Sequence, residues 1–337
     1  MTEVVTAPPE VPSYKDRTGG LVAVGIMELL FGIVCGGFVL LMAVLTELAP
    51  RSGAGAAPPT AAFAMNVVIY SLFAAYFFSV GIGSIRRRRW ARALGLIVSW
   101  MWLLVGVVSL ATLAVLLPRL LPNFAPGGPP AVIMAVIFGT TFVLYVFIPG
   151  IFILFYRSRH VQATCEAHDR KVRWTDRAPL PVIGVSLMFA CGAVALLASL
   201  SYAAVPLLGT ILTGVPAMIV VLAVAGLMAL LALQLYRLKL QAWWTLLLFQ
   251  IAGVIVGTIT LLRTNFDELY ERMGIMTPQL RALHLGQLYR DPLLWLPIGA
   301  TWLGFFLFVL WIRRYFVRPG PRTRAGDVTT DITTALT

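Results

Sequence analysis

The chain has 337 residues, of which 59% are hydrophobic and only 12% charged. A soluble domain carries roughly 25% charged residues, so this chain lacks the polar surface that solubility demands and belongs in a bilayer. The formal net charge of +12 would point to nucleic acid in a soluble protein. Here the basic residues sit in short clusters beside apolar runs, which points to membrane topology and anionic lipid head groups and away from nucleic acid.

In chain order, the N-terminal tail (residues 1–18) mixes Glu3, Glu10, Lys15, Asp16 and Arg17 and leads into a first apolar run, read as an uncleaved anchor. Apolar runs follow at about 20–45, 61–85, 93–117, 131–156, 182–205, 210–236, 243–263 and 293–316. Each exceeds the ~18 residues that a crossing helix needs, and none alternates as barrel strands do. The expected fold is an all-α membrane protein of about eight transmembrane helices. The fifth and sixth are joined by a short turn around Pro206 and Gly209.

Lys and Arg set the orientation. With the N-terminus inside, 20 of the 26 fall on inner segments: Lys15 and Arg17, then Arg86, Arg87, Arg88, Arg89 and Arg92, then Arg157, Arg159, Arg170, Lys171, Arg173 and Arg177, then Arg237 and Lys239, then Arg313, Arg314, Arg318, Arg322 and Arg324. That asymmetry follows the positive-inside rule, so both termini are expected in the cytoplasm and the localisation in a bacterial inner membrane. Among the outer segments, 48–60 and 118–130 read as Pro/Gly/Ala turns. Residues 264–292 read as two short amphipathic interfacial helices, the second starting at Thr277-Pro278. The C-terminal tail (318–337) is expected to be disordered.

The chain reads as a duplication. An offset of 156 aligns IFILFYR (151–157) with LFVLWIR (307–313), and Cys35-Gly36 with Cys191-Gly192. An offset of 151 aligns Arg86 with Arg237, Arg88 with Lys239 and Gly106 with Gly257. The expected organisation is a first four-helix repeat (19–160), a basic cytoplasmic linker (161–181) and a second four-helix repeat (182–317). Four crossings per half make the repeats parallel.

Of fourteen acids, Glu28 alone sits inside an apolar run. A carboxyl there is costly unless paired, protonated or near water. Gly25, Gly32 and Gly36 share its helical face, and Gly32/Gly36 is a GxxxG pair suited to close helix packing. Gln250 precedes a second such pair, Gly253 and Gly257. Equal depth and matching faces predict that Gln250 hydrogen-bonds Glu28, with Tyr76, Ser79 and Ser99 as other candidate partners. Arg86, Arg87, Arg88, Arg89 and Trp90 read as a turn held inside that touches lipid head groups. His160, Cys165, His168 and Asp169 cluster in the third inner segment, but H-x4-C-x2-H is not a zinc spacing, so no metal is expected. Cys35, Cys165 and Cys191 form no disulfide framework. P-loop, HExxH and GxSxG signatures are absent. No cofactor and no catalytic activity are expected. The pattern fits a non-catalytic lipid- or partner-binding scaffold, with a secondary transporter using Glu28 as the alternative.

Overall fold

The computed structural model describes residues 14–48, 60–124, 130–202, 204–276, 281 and 291–317. Eight helices are long and apolar enough to cross a membrane: Thr18–Leu45, Met65–Ile85, Arg89–Pro118, Ala131–Arg157, Leu180–Tyr202, Val215–Tyr236, Leu240–Arg263 and Pro292–Val317. The protein is a multi-pass helical membrane protein. Its outward faces are apolar, with Leu40 at 69% and Leu154 at 75% exposed, as lipid contact requires.

The elements are α1 (Thr18–Leu48), α2 (Thr60–Ile85), α3 (Arg89–Phe124), α4 (Pro130–Phe142), α5 (Ile148–Arg157), α6 (Arg159–His168), α7 (Leu180–Ala198), strands β1 (Ala204–Leu207) and β2 (Thr210–Thr213), α8 (Val215–Tyr236), α9 (Leu240–Arg263), α10 (Phe266–Arg272), α11 (Trp295–Ile312) and α12 (Arg314–Val317). In the first half α1 packs mainly on α2, and α3 on α5. In the second half α7 packs mainly on α8, and α9 on α11. α3 also reaches α7 and α11, so it stands between the halves.

Two tight turns fix the antiparallel pairs α2/α3 and α8/α9, and they share one backbone design. Arg87 has φ 54° and Leu238 φ 55°. In the first turn Arg87 N–H donates to Ser84 O and Arg88 N–H to Gly83 O; in the second Leu238 N–H donates to Leu235 O and Lys239 N–H to Gln234 O. These are helix ends closed through a left-handed residue. Every partner in one turn lies 151 residues from its counterpart in the other.

α4 and α5 form one span with a π-helical turn, Val143–Phe147, between them. Pro149 is the cause: it offers no N–H and its ring excludes a normal i−4 carbonyl. The Tyr145 carbonyl oxygen lies where any side chain at Gly106 of α3 would collide with it. The proline and the glycine are two halves of one close helix contact.

Three expectations change. The stretch between spans five and six is a β-hairpin, not a bare turn, so the sixth span starts at Val215. Leu207 pairs with Thr210, and Leu208 (φ 54°) with Gly209 (φ 94°) makes the two-residue turn that hairpin twist favours. Leu208 N–H donates to Thr260 Oγ1 at 2.9 Å, tying the hairpin to α9. The basic linker is partly helical: α6 buries Val161, Thr164 and Cys165 on one face, and Val161 and Cys165 pack with Leu21, Val24, Phe152 and Tyr156. The first expected helix of the outer amphipathic segment is present as α10, capped by the Asn265 side chain, with Phe266 and Leu269 packed on Ala204. The second expected amphipathic helix falls outside the described residues apart from Arg281, which reaches Glu271 at 2.7 Å. The expected turn at 118–130 is shortened to a few residues: α3 runs on to Phe124, because the apolar run continues through Leu120 and Leu121. Residues 125–129, 49–59, 1–13 and the expected disordered tail at 318–337 lie outside the described residues.

Candidate functional site

α1 turns Leu21, Val24, Gly25 and Glu28 to one face, and that face is buried: Leu21 is 1%, Val24 8% and Glu28 2% exposed. Gly25 lets α1 close on α2, since a Cβ there would stand 2.8 Å from the Gly81 carbonyl oxygen, and one on Gly81 would stand 2.8 Å from that of Gly25. A Cβ at Gly32 would press on the Phe78 ring at 3.2 Å, whereas one at Gly36 would meet nothing within 4 Å.

Close approach delivers the Glu28 carboxyl to the last turns of α2 and α5. Tyr156 OH lies at hydrogen-bond distance from Glu28 Oε1, 2.8 Å, and Ser84 Oγ from Glu28 Oε2, 3.0 Å. Ser84 Oγ and Tyr156 OH are themselves 2.9 Å apart. The three residues thus form a closed triangle, with Ser84 1% and Tyr156 0% exposed. Phe152 and Phe155 pack edge-on against the Tyr156 ring, and the Tyr156 ring covers Gly95 of α3. Arg92 of α3 donates from Nε to the Tyr156 carbonyl at 3.0 Å and from Nη2 to Gln162 at 3.1 Å.

The expected Glu28–Gln250 bond is not made. Gln250 is 4% exposed, on the α9 face that buries Ala242, Trp243 and Leu246, and its Nε2 has no hydrogen-bond partner. Helix order explains the miss: α1 is committed to α2, and α9 to α11 and α8. The other candidates are engaged elsewhere or face outward. Ser99 donates to Gly95 O, Tyr76 to Leu94 O, and Ser79 is exposed. A Cβ at Gly253 would make only ordinary contact with Trp302, at 3.9 Å, and one at Gly257 would meet nothing within 4 Å.

A polar cap covers the same end of the molecule. Asp169, 2% exposed, takes both Nε (3.1 Å) and Nη2 (3.0 Å) of Arg173. It also accepts the Arg89 backbone N–H and lies 3.6 Å from the Arg88 guanidinium. Burial pushes its carboxyl up, but the Arg173 hydrogen bonds and the surrounding positive charge outweigh this and hold it below the usual carboxylate range. Arg89 pairs with Glu166 and Asp176, and Arg87 meets His168 Nε2 at 2.8 Å. Arg86 stays exposed, and Trp90 is half-buried with its ring over Gly83. Arg17 N–H donates to Thr164 Oγ1, fastening the start of α1 to α6. His160 takes the Lys15 N–H. Burial raises the Cys165 thiol to about 11. His160, Cys165, His168 and Asp169 therefore face different neighbours, and among the described residues no three His, Cys, Asp or Glu side chains gather as metal ligands.

Sequence reasoning missed Ser84, Tyr156 and the organising role of Asp169. One signal was available: within the aligned IFILFYR and LFVLWIR segments, Tyr156 stands opposite Ile312, a polar group in place of an apolar one. Comparisons with protein-family models, curated proteins and solved structures find no match to this chain.

Proposed function

We propose that this chain is a non-catalytic scaffold of a bacterial inner membrane that binds anionic phospholipid at its basic face, with both termini in the cytoplasm. One observation carries the reading. The single acid within the spans, Glu28, has both oxygens bonded by the protein's own Ser84 and Tyr156 and is 2% exposed, so no carboxylate is left facing a solute. The cations are distributed differently. Arg86, Arg157, Arg159, Arg170, Lys171, Arg237, Lys239, Arg313 and Arg314 are exposed, whereas Arg88, Arg89 and Arg173 are held by the cap. The exposed group suits phosphate head groups at the membrane surface. No nucleic acid, metal or cofactor enters this reading. Purified protein should float with vesicles containing about 30% phosphatidylglycerol more strongly than with pure phosphatidylcholine, and Arg86→Ala with Lys171→Ala should reduce the difference. Equal binding to both vesicles refutes it.

The two-repeat organisation is part of the proposal. The matching left-handed turns at Arg87 and Leu238 support it, as does the same pairing order of helices in each half. Ile153 and Tyr156 correspond by the 156 offset to Val309 and Ile312, and all four are buried. Residues 19–160 should superpose on 182–317 by rotation about the membrane normal in an experimental structure; halves that fail to superpose end the claim. Parallel repeats are also a transporter architecture, so the same observations favour a secondary transporter as the second reading. Solute uptake into proteoliposomes that is lost in Glu28→Gln would select it.

A further inference from the structure

The Glu28 junction is built wholly of oxygen–oxygen contacts, and each such hydrogen bond needs one proton. Three contacts close the ring: Tyr156 OH to Glu28 Oε1 at 2.8 Å, Ser84 Oγ to Glu28 Oε2 at 3.0 Å and Ser84 Oγ to Tyr156 OH at 2.9 Å. The two hydroxyls bring two protons. An ionised carboxylate only accepts. If Glu28 were ionised and took both, the Ser84 and Tyr156 oxygens would face each other at 2.9 Å with no hydrogen between them. Turning either hydroxyl to fill that gap empties a contact to Glu28 instead. The ring closes only with a third proton, and the carboxyl is the group within it that can supply one.

We infer that Glu28 is a neutral carboxylic acid and that the Glu28–Ser84–Tyr156 ring is a proton-binding site. The carboxyl donates to one hydroxyl, that hydroxyl donates to the second, and the second donates back to the other carboxyl oxygen. Every donor and acceptor pairing in the ring is then made, as a buried site requires. The surrounding groups leave room for this assignment. Arg92, the nearby cation, spends Nε on the Tyr156 carbonyl and Nη2 on Gln162. Tyr76 of α2 bonds Leu94 O, Cys165 of α6 packs among apolar side chains, and no ion pair to Glu28 exists among the described residues. The opposite half shows the apolar version of the same junction. By the 151 and 156 offsets Ser84 and Tyr156 correspond to Leu235 and Ile312, both 0% exposed and in one hydrophobic cluster. A helix junction of this kind thus closes without polar groups, and the polar form is specific to the first half. That comparison draws on the proposed duplication; the proton count does not, and neither depends on lipid binding.

Infrared spectroscopy tests the assignment on the full chain in phosphatidylcholine vesicles at about pH 7, where ordinary carboxyls are ionised. With 13C-labelled glutamate, one protonated-carboxyl stretch should shift with the label. It should be lost in Glu28→Gln and move to higher frequency in Tyr156→Phe, which removes one ring partner. Absence of any label-sensitive protonated-carboxyl band in the wild type overturns the inference. So does a band that persists unchanged in Tyr156→Phe. The wild-type and Tyr156→Phe spectra decide the matter even if Glu28→Gln fails to fold.

Discussion

Substituting Gly25 by alanine isolates the contact that builds the junction. The added Cβ would lie 2.7 Å from Ile85 Cγ1, 2.8 Å from Gly81 O and 3.1 Å from Ile85 N. Two of those three atoms are backbone, so rotamer changes cannot clear them. Ordinary contact begins near 3.4 Å, so α1 and α2 must part by about 3.4 − 2.8 = 0.6 Å at this point. Over-packing of this kind costs about 1–3 kcal/mol, roughly a 5- to 150-fold change in the folding equilibrium. The same movement draws Glu28 away from Ser84 and Tyr156. Gly36→Ala is the internal control, one face further along α1 with no neighbour within 4 Å; helix propensity there favours alanine by up to ~1 kcal/mol. Reversible unfolding in mixed micelles, or steric trapping in bicelles, measures both variants against wild type. If Gly25→Ala and Gly36→Ala change stability equally, the close approach described for α1 and α2 is wrong.

Further outcomes follow from other parts of the molecule. In α11, Arg313 N–H turns to Leu310 O, and Trp243 Nε1 donates to Val309 O at 2.8 Å; Trp243→Phe should cost about 1–3 kcal/mol by leaving that carbonyl unpaired, read by denaturation, and a cost below ~0.5 kcal/mol rejects the role. Because the folded Asp169 carboxyl is held below 3.8, its contribution to the cap is present above that pH and is lost as pH falls through the lower folded value; hydrogen exchange across 159–176 should rise over that acid range in wild type but show no such step in Asp169→Asn. With the native cysteines replaced by alanine, cysteines at Gly53, Gly127, Leu208 and Thr277 should label from outside intact cells and one at Thr323 should not; labelling of Thr323 rejects the topology. Cys165, 1% exposed with its thiol raised to about 11 by burial, should react with maleimide at least tenfold more slowly than a solvent-exposed cysteine at neutral pH.

The spans were legible because their signal is one-dimensional. A helix in lipid must satisfy its own backbone and present apolar side chains over about 20 residues, so Leu180–Tyr202 or Leu240–Arg263 announces itself without knowledge of any neighbour. The hairpin at Ala204–Thr213 did not, because its apolar, β-branched residues continue the hydropathy of the helices on either side. The strand pairing, the left-handed pair Leu208 and Gly209 and the bond to Thr260 separate it from them. α6 was hidden for the opposite reason: its composition is that of a charged loop, and its helical face is defined by what it covers, the cluster of Leu21, Val24 and Tyr156.

The same division runs through the candidate site. That Glu28 requires an explanation followed from sequence alone, since a carboxyl among apolar residues carries a desolvation cost wherever its helix is placed. That the explanation is Ser84 and Tyr156, and not Gln250, depended on which helices touch. Gln250 and Glu28 have similar flanking glycines, yet a Cβ at Gly25 would collide with the Gly81 backbone while one at Gly257 would meet nothing within 4 Å. Hydropathy and charge determine how many times this chain crosses the bilayer and which residues are costly to bury, because those are properties of single helices in a solvent. The partners that offset the cost are a property of pairs of helices, set by sub-ångström fits between backbones that no linear pattern records, and so the tertiary structure alone decided them.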